Sequence, residues 1–175
     1  MIFNTPTCGV RDQIQFDLPL AQEEIYLSTN VYVEGQSGSS NAFSVHIDST
    51  DYGARSVSFH GRGNLSLFNF GSNNLGNYSN NRTYKLVLYA NALTDVLTVN
   101  IDGEEIHSGT FGSSDITSIR LTQSPWTGAP NNCGDSTVAI NNFMIFENPE
   151  DINIQTDVST AVSYTHLTLP TIYSV

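Results

Sequence analysis

His46, His60 and Arg62 are the side chains of this sequence whose types and placement could act together on a ligand. His46 alternates with Val45 and Ile47, and His60 keeps the same parity after Val57 and Phe59. On neighbouring strands both imidazoles would stand on the outward face, with Arg62 just beyond and Tyr89 nearby. Such a group can line a ligand groove, or it can simply decorate a wet sheet face. Trp126, the single tryptophan, sits in the loop Ser124-Pro-Trp-Thr-Gly-Ala-Pro130. An indole held between prolines suits stacking on the apolar face of a pyranose, or plugging one end of the domain. Tyr52 and Tyr78 are weaker companions to it. Asn131-Asn-Cys-Gly-Asp135 offers oxygen ligands in a tight loop, as calcium requires, with Asn132 and Asp135 as the candidate ligands. The spacing matches no defined calcium loop, and an ordinary Asn/Asp/Gly turn is the other reading. Glu104 and Glu105 are adjacent, so on a strand they point to opposite sides and read as a solvated edge.

The elements that must position these groups are strands. Apolar residues recur at every second position between clusters of Gly, Asn, Ser and Asp, beginning with Val10 to Phe16. Ile25, Leu27, Val31 and Val33 share one face, and Tyr26, Ser28, Asn30 and Tyr32 share the other. Phe43, Val45 and Ile47, then Leu65 to Phe70, then Tyr84, Leu86 and Leu88 continue the pattern, with a long polar loop over 71–81. Asp102-Gly103 between alternating runs predicts a two-residue hairpin, because that turn needs positive φ and glycine supplies it at little cost. Leu97, Val99 and Ile101 are then the inner face. Strands around Ile116 to Leu121 and from Val138 to Phe146 follow. No window sustains a helical period, and no blade-length repeat supports a propeller. The class is all-β, a two-sheet antiparallel sandwich.

Composition agrees. The 175 residues suffice for one sizeable core, with 39% apolar and only 13% charged residues. A formal charge of -11 with six Lys plus Arg excludes a basic footprint, so nucleic acid and anionic membrane surfaces are not expected partners. No apolar run approaches the roughly 20 residues that span a bilayer. The start lacks the basic and apolar blocks of a signal peptide. Residues 162–175 resemble a translated sequencing adapter: Val162 to Thr171 can be back-translated codon by codon into a transposase adapter. This tail is expected to be an adapter-derived artefact on a metagenomic fragment of a longer secreted chain, its signal peptide lost by truncation; a genuine Thr-rich β tail and an intracellular protein are the other readings. The expected organisation is an N-terminal segment over 1–9, a sandwich over 10–147, a linker over 148–161 and the adapter-derived tail.

The order of elements resembles a known pattern: Tyr84-Lys-Leu-Val-Leu-Tyr89, Leu97-Thr-Val-Asn-Ile-Asp-Gly103, Gly109-Thr-Phe111, Ile119-Arg-Leu121 and Val138-Ala-Ile-Asn-Asn-Phe-Met-Ile145. This looks like the second half of concanavalin A-like, laminin G-like jelly rolls, with Asn141 where Asp is usual. Members include lectins, carbohydrate-binding modules, glycoside hydrolases, polysaccharide lyases and adhesive domains, so the resemblance specifies fold more than function. Retaining glycosidases on this fold alternate carboxylates along one strand, and no such run is found here. Lyases need a Tyr/His pair with a neutralising Arg or Gln, which His46, His60 and Arg62 could supply with Tyr89 nearby. First and last strands of this fold are often neighbours, so a Cys8–Cys133 disulfide is reasonable and would contribute about 4–5 kcal/mol; two free thiols are the alternative. The expectation is a non-catalytic, carbohydrate-binding module of an extracellular or cell-surface protein, with calcium as an optional cofactor and a glycan as partner. Its alternatives are a polysaccharide lyase or glycoside hydrolase fragment, or a structural, adhesive domain.

Overall fold

Alternation of apolar and polar residues becomes two six-stranded antiparallel sheets in a computed structural model of the chain. The structure describes residues 1–4, 12–34, 41–51, 55–60, 63–68, 74–123 and 137–146. Along the chain the strands are β1 (Ile2–Asn4), β2 (Asp12–Gln22), β3 (Glu24–Val33), β4 (Asn41–Asp48), β5 (Arg55–His60) and β6 (Asn64–Phe68). They continue with β7 (Gly76–Asn77), β8 (Thr83–Asn91), β9 (Val96–Ile101), β10 (Glu104–Gly109), β11 (Ile116–Gln123) and β12 (Thr137–Phe146). One sheet, called A, has the order β1-β12-β3-β8-β9-β10; the other, B, has the order β2-β11-β4-β5-β6-β7. Every strand pair is antiparallel, and no helix occurs among the described residues.

The core lies between the sheets and is filled by the inward positions of each strand. Leu27, Val31, Leu86, Leu88, Leu97 and Val99 line it from sheet A, and Phe43, Val45, Phe59, Ile119 and Leu121 from sheet B. These side chains are fully buried, and removal of that apolar area from water is the main force holding the sheets together. Expectation and structure agree on Ile25, Leu27, Val31 and Val33 facing in, and on Leu97, Val99 and Ile101. Asp102 (φ 53) and Gly103 (φ 86) both take positive φ, the conformation a two-residue hairpin needs.

Three local departures from simple alternation have physical reasons. Residues 2–4, expected outside the sandwich, form β1 and pair with Thr137 to Ala139. β2 begins at Asp12 and runs on through Pro19 to Gln22; a proline is tolerated there because β2 is the edge of its sheet. β12 carries a bulge. Asn141 faces Asn30 and Met144 faces Ser28, so three steps on β12 match two on β3. Asn142 (φ 51) absorbs the extra residue in a region asparagine tolerates. The buried Thr29 hydroxyl donates to the Asn141 carbonyl at 3.1 Å, which satisfies a group the bulge exposes. The extra residue restores parity, so that Phe143 turns inward and stacks on Phe16 of the other sheet with ring centroids 4.8 Å apart.

Candidate functional site

Outward positions on sheet B form a polar grid whose geometry follows from strand register. One cross-strand row runs Gln15, Arg120, His46, Ser56, Phe68; the next runs Gln13, Thr122, Ser44, Ser58, Ser66; a third joins Asp17, Ser118 and Asp48. Neighbouring strands are about 4.8 Å apart, so each row presents polar groups at a regular interval. Ser44, Ser56, Ser58, Ser118 and Thr122 are short and buried, although they point away from the core. They make a hydroxyl floor, bordered by the half-buried His46, His60 and Arg120 and by the exposed Phe68.

The grid is internally bonded. His46 Nε2 lies 2.8 Å from Thr122 Oγ1, and His60 Nε2 lies 2.6 Å from Ser66 Oγ. Ser44 and Ser58 hydroxyls share a bond of 2.8 Å. Arg120 donates to both oxygens of Asp48, through Nη2 at 2.8 Å and Nε at 3.2 Å, and Ser118 adds a third donor to the same carboxylate. A bidentate guanidinium–carboxylate fork fixes both side chains in orientation as well as in charge. Burial lowers the pKa of His60 below the ordinary imidazole value, so its ring stays neutral further into the acid range.

The expected site residues divide into three groups. His46 and His60 stand on this one face, on the adjacent strands β4 and β5, as their parity required. Tyr89 does not join them. It lies on β8 in sheet A and points to the opposite outer surface, where its ring stacks on Tyr26 at 4.5 Å. The correction has a simple cause: alternation assigns a residue to the outside of its sheet but does not say which sheet. Trp126, Arg62, Tyr52, Asn132, Asp135, Cys8 and Cys133 lie outside the described residues, as do the linker and the tail over 147–175. Tyr78 is a core residue. It is buried, its ring meets Phe59 and Tyr84 edge-on, and its hydroxyl donates to the His60 carbonyl at 2.6 Å.

Arg120, Asp48, Thr122 and Gln15 are additions that sequence reasoning missed. Their outward parity was readable, because Ser118, Arg120 and Thr122 alternate with Ile119 and Leu121. Their place beside His46 was not readable, because β11 and β4 are distant in sequence, with Asp48 and Arg120 72 positions apart. Among the described residues, no group of three His, Cys, Asp or Glu side chains is placed to hold a metal ion, and no helix is long and apolar enough to cross a membrane.

No family model matches the sequence, and no curated protein matches it. Solved structures do match in three dimensions. A sialidase superposes with a TM-score of 0.61 at 14% identity over 86% of this chain; the chain spans only 15% of that protein's length. The carbohydrate-binding module CBM66 from Bacillus subtilis superposes with a TM-score of 0.51 at 10% identity, covering 76% of this chain and 81% of the module. A polysaccharide lyase family 7 alginate lyase gives a TM-score of 0.49 at 10% identity, over 70% of this chain and 58% of the enzyme. Two antiparallel sheets in this order, with these similarities, give the chain the concanavalin A-like jelly-roll fold.

Proposed function

We propose that this domain is a carbohydrate-binding module that engages a glycan on the outer face of sheet B, as part of a longer extracellular or cell-surface protein. The observation that carries the reading is the polar grid itself. Its hydroxyl floor, His46, His60 and the Arg120–Asp48 fork set donors and acceptors in a plane at strand spacing. Saccharide hydroxyls are recognised by such arrays, because each needs both a donor and an acceptor. The similarity to a sialidase and to CBM66 supports the class of ligand and carries no residue across. Arg62, Tyr52 and Trp126 are proposed as further ligand-binding residues, with Trp126 as a stacking platform, and Asn132 and Asp135 as calcium ligands.

A glycan array read with calcium and with chelator tests this, followed by calorimetry on the best ligand. His46→Ala together with Gln15→Ala should weaken binding roughly ten-fold, the scale of two lost hydrogen bonds. Trp126→Ala should weaken it further, and chelator should reduce it if the Asn132/Asp135 assignment holds. Unchanged affinity in the His46/Gln15 variant would move the site off this face.

A second reading is a polysaccharide lyase acting on that face with His46, His60 and Arg120, without Tyr89, which lies on the other sheet. Release of an unsaturated uronate product from acidic polysaccharides, lost in His46→Ala, would establish it. Binding without turnover would leave the module reading alone.

A further inference from the structure

The two sheets end unequally at one edge of the sandwich, and a cleft of about 550 Å³ opens there. Sheet B finishes with the two-residue β7, whereas sheet A extends to the six-residue β10. Leu65 on β6, Ile101 on β9 and Ile106 on the edge strand β10, with Leu75 beside them, therefore form an apolar wall open to one side. Tyr78 and Tyr84 close the inner end, edge-on to each other, with centroids 5.9 Å apart. Their hydroxyls are already bonded, Tyr78 to the His60 carbonyl and Tyr84 to the Ser79 backbone, so the rings stay fixed.

The rim of this cleft is polar. Arg82 sits 4.7 Å from the Tyr84 ring centroid and donates to Asp102 at 2.7 Å. A guanidinium carries five N–H donors, and stacking on the ring while pairing with one carboxylate oxygen leaves a fixed fork at the mouth. The exposed Glu104, an acceptor, also lines the cleft. The volume falls within the range of about 300–1,000 Å³ that holds small organic ligands.

We infer that this cleft is a second saccharide site, taking a single sugar residue of a neutral glycan. A sugar ring is amphipathic: its C–H face suits the Leu65/Ile106 wall and the tyrosines, and its hydroxyls suit Arg82 and Glu104. Charge selects neutrality. Arg82 is outweighed by Asp102 and Glu104 at the rim, and the chain carries -11 overall, so uronates and sialates are repelled. An extended peptide added to β10 fits less well, because Glu104, Glu105 and a bulge between Glu105 and His107 blunt that edge. The inference shares its ligand class with the proposed function but rests on different residues.

Backbone amide chemical shifts of the full chain, titrated with neutral oligosaccharides of glucose, xylose, mannose and galactose, distinguish the two sites. The cleft predicts shifts at Asn77, Ser79, Arg82 and Ile106 with at least one of these sugars. Those shifts should weaken at least ten-fold in affinity in the Arg82→Ala/Glu104→Gln variant and persist in His46→Ala. A hexuronate oligosaccharide should leave them in place. Shifts confined to the face of sheet B would overturn the cleft and keep the proposed function; shifts confined to the cleft would do the reverse. Silence with every neutral sugar overturns the cleft outright, whatever acidic glycans do elsewhere.

Discussion

The two outer faces of the sandwich were built by one alternation rule and have different chemistry. Sheet A presents Phe146, Tyr26 and Tyr89 in one cross-strand row, with Met144, Ser28 and Val87 in the next. Sheet B presents serines, threonine, two histidines and the Arg120–Asp48 fork. On sheet A the large groups satisfy each other: the Tyr26 and Tyr89 rings stack with centroids 4.5 Å apart and an interplanar angle of 29°. Each ring in such a stack has one face covered by its partner. On sheet B the tall groups leave short hydroxyls between them. One face carries stacked rings and the other a hydrogen-bonded polar network, although the core beneath is shared.

The strongest way to break this contrast is Asp48→Ala. It leaves the Arg120 guanidinium half-buried without its carboxylate and should cost about 2–3 kcal/mol in urea unfolding, less than a fully buried pair because both groups keep some solvent. A loss below about 0.5 kcal/mol would mean that the sheet B network does not hold its own geometry.

Asn142→Val tests whether the bulge keeps sheet A in phase. A β-branched residue at that positive φ should cost about 1–2 kcal/mol, whereas Asn142→Gly should be nearly neutral. Equal stability of the two variants would show that the bulge relocates freely.

For the sheet A rings, a double-mutant cycle of Tyr26→Leu and Tyr89→Leu should give a coupling of about 0.5–1.5 kcal/mol. The same pair has a pH signature. Burial, with Tyr89 and Glu24 adding to it, pushes the Tyr26 phenol from 10.0 up to about 12. A raised folded value means that this stability is complete below the unfolded pKa and is lost as pH rises through the folded one. Unfolding midpoints should therefore fall between about pH 10 and 12, and less so in Tyr26→Phe. His60 works at the other end: its lowered pKa makes the fold lose stability as pH falls below 6.5, with a histidine titration that His60→Gln removes.

The smallest effect belongs to Arg82→Ala, at the mouth of the cleft. Its pair with Asp102 is largely exposed, and stability should change by less than about 0.5 kcal/mol. A larger loss would make Arg82 a structural group rather than one held out for a ligand.

Much of the fold could be read from residues alone. The inward sets of β3, β8 and β9 follow period two, and Asp102-Gly103 specifies its turn by backbone sterics. The core role of Tyr78 was hidden because its segment reads as a polar loop, and only the Phe59 and Tyr84 rings beside it explain its burial. The bulge in β12 was hidden for a related reason: Asn141-Asn142 reads as ordinary alternation until Met144 is seen opposite Ser28.

Alternation by itself decided that His46, His60, Tyr89 and Arg120 face outward, since side chains on a strand can take only two directions. Tertiary structure alone decided which of them meet. Pairing β4 with β11 brought Arg120 beside His46, and pairing β8 with β3 carried Tyr89 to the other side of the molecule. Direction is a local property of the backbone, whereas sheet membership depends on which distant strands bury each other's apolar faces.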